Sequence, residues 1–205
     1  MWGDLAQEAL TLTAEHLFLV VVSVVLAAAI AIPAAIVLTR HERLRRPVVA
    51  LVNILQTIPS LALFGFLIPL PFLGGIGKRT AIIALVLYAL LPILRNTLVG
   101  IIGIDPAVRE SAIAMGMTPR QILREVELPL AAPSLFAGLR VATVTTIGTA
   151  AIAAAIGAGG LGVFIFRGIA SVDNVQILAG AVPAALMAIA ADEGFSWIER
   201  KVSPP

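Results

Sequence analysis

The sequence predicts an all-α, polytopic bundle of about five membrane-spanning helices. Of its 205 residues, 60% are hydrophobic and 13% are charged, and the mean hydropathy is +1.03. Because soluble domains are about one quarter charged, this composition requires surrounding membrane lipid. Five apolar runs, each near the ~20 residues that a helix needs to cross a bilayer, fill most of the chain and fit one transmembrane domain over residues 1–205.

Short connections join the apolar runs, and we expect each run to form one span. The runs cover about residues 17–39, 47–69, 80–98, 129–156 and 175–197. The first run is longer than the apolar core of a signal peptide and follows an acidic segment, so we expect it to be retained. A further apolar piece at 161–170 is too short to cross ~30 Å of hydrocarbon as a helix, and is expected to be re-entrant or to lie at the surface.

The distribution of basic residues predicts the orientation. The connections and ends on one side carry four Lys and Arg at 40–46, three at 105–129 and two at the C-terminus, whereas the other side carries only Lys78, Arg79 and Arg167. The positive-inside rule then places the 105–129 connection and the C-terminus in the cytoplasm and the N-terminus outside. This clustering, with a net charge of only +2, argues against nucleic-acid binding.

Residue types suited to catalysis or metal binding are sparse. The chain has no cysteine, and its two histidines, His16 and His41, fall on opposite predicted sides of the membrane, so neither a thiolate nor a shared metal site is expected. The glycines at 157–162 formally match a dinucleotide-binding pattern, but that pattern needs a preceding strand, and here it follows a membrane span. We therefore expect a tight link there, no cofactor and no enzymatic activity in this chain.

The polar connection between runs three and four has the signals of a helical elbow. Asp105–Pro106 supplies an N-cap followed by a proline suited to the first turn, and Gly116 supplies a helix stop. Thr118 and Gln121 have the spacing of a capping box, and Pro129 predicts the next break. These signals predict two short helices hinged at Gly116. Taken alone, they leave both a solvated hairpin and a docking site open.

The elbow resembles the EAA loop of bacterial ABC importer permeases. Its order is Glu-Ser-Ala, three residues, Gly, nine residues and Val-x-Leu-Pro, in which Ser111 and Val126 replace the usual alanine and isoleucine. The resemblance implies that the loop docks as a coupling helix on a separate ATP-binding cassette ATPase, whose closure it transmits to the spans. The residues that the resemblance assigns to coupling are Glu110, Ser111, Ala112, Gly116, Leu128 and Pro129.

Four further segments resemble the permeases for glycine betaine, carnitine and choline, within a methionine-permease-like type I ABC importer fold. They are residues 56–63, 88–97, 157–162 and 166–168. This resemblance implies a homodimer or heterodimer of permeases that imports a quaternary-ammonium osmoprotectant delivered by an extracytoplasmic binding protein. Aromatic residues, which form the usual cages for such cations, make up 5% of the chain, so we expect the tight site on that binding protein.

Two other functions remain open at this point. The same architecture would also serve another small solute such as methionine, whose permeases share the elbow and the glycine run, although segment 56–63 differs from theirs. A membrane scaffold or channel without an ATPase is the other alternative. Such a protein has no need for a twice-capped hinge at a fixed distance from Leu128–Pro129.

Polar residues in run two form the candidate transport pathway. Asn53, Gln56, Thr57 and Ser60 are spaced i, i+3, i+4 and i+7, which places them on one face of a continuous helix. In hydrocarbon, such groups are paired or face water. They therefore either join helices by hydrogen bonds or line the pathway beside a bend at Pro59. We favour the pathway, because four polar residues exceed what packing needs.

Arg140 falls about eleven residues after Pro129, inside run four. Its side chain either pairs within the bundle or extends to the cytoplasmic interface, and we favour the second placement. Asp192 and Glu193 precede Arg200 by about two turns and are its expected interfacial partners.

Overall fold

The computed structural model describes residues 2–71 and 74–202, and over these ranges it contains helices and no strand. The helices, in chain order, are α1 (Trp2–Arg40), α2 (Glu42–Thr57), α3 (Ser60–Leu67), α4 (Lys78–Ile102), α5 (Pro106–Ala114), α6 (Pro119–Gln121), α7 (Leu128–Ile152), α8 (Gly162–Ser171) and α9 (Asn174–Val202). A π-helical segment, Ile122–Glu127, joins α6 to α7, and a 3₁₀ turn, Ala153–Ile156, follows α7. The predicted all-α fold is confirmed.

Four helical stretches in the described part of the chain are long and apolar enough to cross a membrane. They are Gln7–Arg40, Lys78–Ile102, Pro119–Ile156 and Asn174–Val202, which contain runs one, three, four and five. Helices α2 and α3 pass the same test together, but they are bent by 99° relative to each other. The described residues therefore provide four continuous spans and one broken segment, in agreement with the expected total of about five.

Run two is broken at Pro59. A residue before proline is driven towards extended backbone, and Ile58 has φ −70° and ψ 125°. Helix α2 therefore ends at Thr57, and α3 starts in a new direction at Ser60. Ser60 consequently does not share a helical face with the three polar residues of α2. The prediction of one continuous polar face is wrong in this respect.

Helices α1, α4 and α7 form the core of the bundle, and α9 packs against α7. Two buried apolar clusters fill the core, with Phe64 in one and Ile93 in the other. At the contact between α4 and α7, a Cβ added to Gly138 would lie 2.8 Å from the Cβ of Asn96. Small residues allow this close approach between membrane helices, where association depends on van der Waals packing.

Helix α8 lies where the chain passes from α7 to α9. It is ten residues long, and Leu161 and Phe164 are buried there together with Leu12 of α1. The structure thus has a short helix at this point, as expected, and the described residues contain no sixth span. Helix α9 begins after Asp173. Hydrogen bonds from the Gln176 side chain and from backbone N–H groups hold the pKa of Asp173 below its usual value.

Candidate functional site

Helix α5 is the first half of the elbow, and local interactions fix its start. The Ala107 N–H donates to Asp105 Oδ1 at 2.9 Å. Pro106 occupies the first helical turn, where no N–H is required. The cap satisfies an N–H that has no partner within the helix. These features match the helix start that the sequence predicts at Asp105–Pro106.

Gly116 ends α5 with a left-handed turn. Its φ is +76°, a conformation in which a side chain with a Cβ is strained. The Gly116 N–H donates to the carbonyl of Ile113, and the Met117 N–H donates to that of Ala112. These two bonds form a Schellman motif. No atom outside the adjoining chain lies within 4 Å of an added Cβ, so the backbone conformation, and not lack of space, favours glycine here.

The second half of the elbow starts with a capping box. The Thr118 N–H donates to Gln121 Oε1 at 2.9 Å, and the Gln121 N–H donates to Thr118 Oγ1 at 3.4 Å. This arrangement was predicted from the spacing of the two residues. Helix α6 then continues through the π-helical segment into α7, so that Pro119–Ile156 is one uninterrupted helical stretch.

The break that the sequence predicts at Pro129 is wrong. The Leu128 N–H donates to the carbonyl of Leu123, five residues earlier, which is the spacing of a π-helix. In a regular α-helix, the Pro129 ring would crowd the carbonyl of Glu125. The wider π turn accommodates this ring without ending the helix. Leu128 is half-buried and Pro129 is exposed, and both belong to a rigid connection between the elbow and α7.

The buried carboxylate of Glu127 lies between two arginines from other helices. Arg40 Nη2, at the end of α1, donates to Glu127 Oε2 at 2.5 Å. Arg109 Nε, in α5, lies 2.9 Å from Glu127 Oε1, although its N–H is not aligned for a hydrogen bond. Arg109 also donates to the carbonyl of Ile101 in α4 at 2.5 Å. One buried charge therefore connects α1, α4 and α5 to the base of α7.

The cluster of Arg40, Arg109 and Glu127 pairs one fully buried carboxylate with two partly exposed arginines. The Glu127 side chain is 0% exposed, whereas Arg40 and Arg109 are 46% and 28% exposed. Breaking a fully buried ion pair costs ~3–5 kcal/mol, because one charge is left uncompensated, and the partial hydration of these arginines reduces that cost. The sequence analysis did not bring the three residues together, because Arg40 and Glu127 are 87 positions apart.

The outer surface of α5 combines polar and apolar side chains. Glu110 and Ser111 are exposed, and Ala112 is buried. Ile113 and Met115 are 62% and 74% exposed. Exposed apolar side chains beside an acidic one, on a rigid capped helix, are suited to contact with another protein.

Gln56 of α2 supplies a hydrogen bond that α4 lacks. Pro92 has no N–H, so the carbonyl of Tyr88, four residues earlier, loses its helical donor. Gln56 Nε2 donates to that carbonyl at 2.7 Å. The Tyr88 hydroxyl in turn donates to the carbonyl of Ile58 at the α2–α3 break. Gln56 thus joins α2 to α4 by a hydrogen bond, whereas the Thr57 hydroxyl donates to a carbonyl within its own helix.

Two cavities border α2 and α4. The first, of about 360 Å³, lies between α2, α4 and α7, and its polar lining residues are Gln56, Tyr88, Arg95, Asn96, Thr145 and Thr149. The second, of about 590 Å³, contains Asn53 and extends to Arg45 and Arg46 at the end of the bundle. Arg95 lines both. Asn53 and Gln56 therefore border different cavities, and Thr57 and Ser60 line neither of the two. The sequence analysis missed Arg95, Thr145 and Thr149.

The glycine link wraps around α1 at the opposite end of the bundle. The Gly160 N–H donates to Glu15 Oε2 at 3.1 Å, and Lys78 Nζ donates to Glu15 Oε1 at 2.8 Å. A Cβ at Gly159 would lie 2.2 Å from Glu15 Oε2. The close backbone approach expected for this link is therefore present, and it explains the glycine-rich composition.

The two histidines are 25 positions apart, His16 within α1 and His41 at the junction of α1 and α2. A ring nitrogen of His16 lies 3.1 Å from the carbonyl of Ile147, and a ring nitrogen of His41 lies 3.0 Å from the carbonyl of Val37. Within residues 2–71 and 74–202, the acidic and histidine side chains form no group of three or more that would hold a metal ion.

Arg140 pairs within the bundle, so the favoured placement at the interface is wrong. It donates to Asp192 through Nε at 2.6 Å and through Nη2 at 3.0 Å, and Glu199 Oε2 lies 3.7 Å from its Nη1. The packing of α9 against α7 brings these acids within reach, and a bidentate pair is a strong interaction. Asp192 is consequently not the partner of Arg200, which donates to Ser196.

Comparison with known proteins identifies the family. Residues 23–204 match the binding-protein-dependent transport system inner membrane component family. The chain belongs to this family. Choline transport system permease protein OpuBB of Bacillus subtilis (strain 168) is 45% identical over 197 residues, which cover 96% of this chain and 89% of that protein. Glycine betaine/carnitine/choline transport system permease protein OpuCD of the same strain is 48% identical over 191 residues, covering 93% and 82%.

A solved structure matches the whole chain. A chain of the MetNI methionine ABC transporter, in an inward-facing conformation, is similar with a TM-score of 0.88 and 28% sequence identity over 100% of both chains. The predicted methionine-permease-like fold and the resemblance to osmoprotectant permeases are confirmed. The chain is a membrane permease component of a binding-protein-dependent transport system.

Proposed function

We propose that this chain is the transmembrane permease subunit of an ATP-driven importer for a quaternary-ammonium osmoprotectant: glycine betaine, carnitine or choline. The observation that carries this proposal is the 45–48% identity, over nearly the whole chain, to permeases named for these compounds. Methionine is the second candidate, because a chain of a methionine ABC transporter shares the fold. The lower identity of 28% to that chain gives it less support.

The functional unit in this proposal contains two permease subunits, either two copies of this chain or this chain and a paralogue. The cavity lined by Gln56, Arg95 and Thr145 is polar and open at the surface of the single subunit. Polar groups at membrane depth face protein or water and not lipid, so a second subunit covers this face. A separate extracytoplasmic binding protein delivers the solute.

An ATP-binding cassette ATPase docks on the exposed face of α5 and hydrolyses ATP for the transport cycle. The coupling residues are Glu110, Ser111 and Ala112 in α5, the hinge at Gly116, and Leu128 and Pro129 at the base of α7. A displacement of α5 reaches α1, α4 and α7 through the contacts of Glu127, because a rigid, capped helix moves as one body.

The elbow faces the cytoplasm and the N-terminus lies outside in this proposal. Its support is the segregation of charge along α1. Arg40 meets Arg109 and Glu127 at one end, whereas Glu8 and Glu15 pair with Arg167 and Lys78 at the other. The end with the larger number of basic residues faces the cytoplasm by the positive-inside rule.

Uptake into proteoliposomes that contain the permease, its ATPase and its binding protein tests the proposed function. Glycine betaine, carnitine or choline is expected to accumulate only when ATP and the binding protein are both present. ATP-driven uptake of methionine alone would support the second candidate, and equilibration without ATP would indicate a channel. A competition assay on the binding protein identifies which compound it prefers.

A further inference from the structure

The side chains of Ile122 and Glu127 are buried together although they are five positions apart. Ile122 is 8% exposed and Glu127 is 0% exposed, and both line a cavity of about 340 Å³ that also borders Arg40 and Arg109. In a regular α-helix, residues five apart point ~140° away from each other, because each residue turns the helix by ~100°. The hydrogen bonds of a π-helix join residues five apart, so one π turn brings both side chains to the same side.

The π turn joins two parts of one helical stretch whose inward faces differ in register. On the α7 side, the buried face continues from Glu127 to Ala131 and Gly138, which are four and then seven residues further on, as in an α-helix. The same spacing carried backwards from Glu127 leads to Leu123 and Arg124, but Leu123 is only half-buried and Arg124 is exposed. The buried residue lies one position earlier instead. The π turn therefore acts as one extra residue, which rotates the elbow relative to α7 by ~100°.

Pro129 explains why the π turn forms at this point. In an α-helix, its ring would crowd the carbonyl of Glu125, and it has no N–H to donate to that carbonyl. The Leu128 N–H donates instead to the carbonyl of Leu123, which is the spacing of a π-helix. Pro129 itself is exposed and follows Glu127 by two positions. Its effect on the buried carboxylate is therefore exerted through the backbone.

The rotation that the π turn introduces determines which side chains meet at Glu127. In the observed register, its carboxylate lies 2.5 Å from Arg40 of α1 and 2.9 Å from Arg109 of α5. Helix α7 is held by its packing against α4, so without the π turn the elbow is the part that would rotate. A rotation of ~100° would carry Arg109 away from the carboxylate.

We propose that Pro129 is a positioning residue. By imposing the π turn, it sets the rotation of the elbow relative to α7 and keeps Glu127 in contact with Arg109. The coupling role of Leu128–Pro129 then lies in the geometry of the helix and requires no contact between Pro129 and the ATPase. The part of this inference that concerns ATP-driven coupling rests on the proposed function, whereas the geometry concerns the permease alone.

Thiol labelling of the purified permease in detergent reports the rotation of the elbow. The chain has no cysteine, so Ile122→Cys and Arg124→Cys each introduce a single thiol, and a maleimide should react faster at position 124. In the Pro129→Ala background, the ring no longer opposes an α-helix and alanine favours one, so we expect this order to reverse. Pro133→Ala, which replaces a proline of α7 outside the π turn, is the matched control and should keep the order. An unchanged order in Pro129→Ala, or a reversal in Pro133→Ala, overturns the inference.

A deletion tests the same geometry independently of the proline ring. Removing Glu125, which is exposed, from the Pro129→Ala variant leaves Ile122 and Glu127 four positions apart in the chain. A regular α-helix then places both on one face. We expect the combined change to restore the slow labelling of a cysteine at position 122. A thiol that stays reactive in this background overturns the inference.

Uptake and ATP hydrolysis by the reconstituted transporter, with its ATPase and binding protein, measure the consequence for coupling. Pro129→Ala is expected to raise the number of ATP molecules hydrolysed per solute imported roughly threefold to tenfold, and the additional deletion of Glu125 should lower it again. A ratio that stays at the wild-type value while the labelling order reverses overturns the coupling role. If the wild-type permease imports no solute with its ATPase, the proposed function fails, and the labelling order alone decides the role of Pro129.

Discussion

At the scale of a single residue, the side chain of Glu127 connects the elbow to the rest of the bundle, and its neutralisation tests that connection. Glu127→Gln keeps the size of the side chain but leaves Arg40 and Arg109 without their carboxylate. We expect a loss of ~1–3 kcal/mol in the free energy of unfolding, because a buried hydrogen-bonded charge is removed while the arginines stay partly hydrated. Thermal unfolding of the purified subunit in detergent measures this loss.

The control for this variant is Glu125→Gln, two residues earlier. Glu125 is exposed, and a surface substitution of this kind usually changes stability by less than ~0.5 kcal/mol. If the two variants unfolded at the same temperature, the account of Glu127 as the connection between four helices would be contradicted.

Gln56 is expected to affect transport more than assembly. Gln56→Leu removes the donor to the Tyr88 carbonyl, at a cost of ~0.6–2 kcal/mol for a hydrogen bond within a membrane bundle. Because this carbonyl borders a polar cavity, water replaces part of the lost bond. We expect the variant to assemble with its ATPase and hydrolyse ATP but to transport poorly. Thr57→Val, which removes a hydroxyl bonded within its own helix, is the control.

Co-purification with the ATPase, ATP hydrolysis and solute uptake are the three measurements for Gln56→Leu. A subunit that fails to assemble would show that Gln56 serves helix packing alone, and would contradict the pathway role that its position in run two predicts.

At the scale of elements, the hinge between α5 and α6 depends on Gly116. Gly116→Val places a β-branched side chain at φ +76°, which costs of order 1–3 kcal/mol and disturbs the Schellman turn. The spans do not contain this residue, so we expect a folded, membrane-inserted subunit that loses transport while the solute still binds to the binding protein. Gly194→Val in α9, where a Cβ meets open space, should transport normally.

Uptake and binding assays on the two glycine variants check this prediction. Normal transport by Gly116→Val would remove the support for a coupling role of the hinge. Loss of membrane insertion would instead place the effect of Gly116 in folding.

Most of the structure of the elbow could be predicted from local signals in the sequence. Asp105, Gly116 and the Thr118–Gln121 box act within one or two turns, so their sequence spacing determines their geometry. The two prolines behaved differently from each other. Pro59 ends α2, whereas Pro129 lies within a continuous helical stretch. The difference arises because a π turn precedes Pro129 and leaves room for its ring.

Contacts between helices far apart in the chain could not be predicted in the same way. The pairing of Arg140 with Asp192 depends on how α7 and α9 pack, and the pairing of Arg40 with Glu127 depends on the arrangement of α1 and the elbow. Gln56 was identified as a polar residue in a span, but its partner carbonyl at Tyr88 is defined by Pro92 in another helix. Arg95 was missed because its significance lies in the cavities around it.

At the scale of the whole molecule, the orientation in the membrane is the first prediction. A cysteine at Ser171, at the end of α8, is expected to react with an impermeant thiol reagent added outside intact cells, and one at Ser111 in α5 is not. Both positions are exposed, and the absence of native cysteine removes background labelling. The reverse pattern would contradict an external N-terminus and a cytoplasmic elbow.

The central claim is that an ATPase drives this permease through α5, and cross-linking from the tip of that helix tests it most directly. Met115 is 74% exposed, so Met115→Cys accepts a maleimide that carries a photoreactive group. In the assembled transporter, illumination is expected to join this position to the ATPase subunit, whereas the same probe at Ser171→Cys, at the opposite end of the bundle, should not reach it. Absence of a cross-link from position 115, or an equal yield from position 171, would contradict the account.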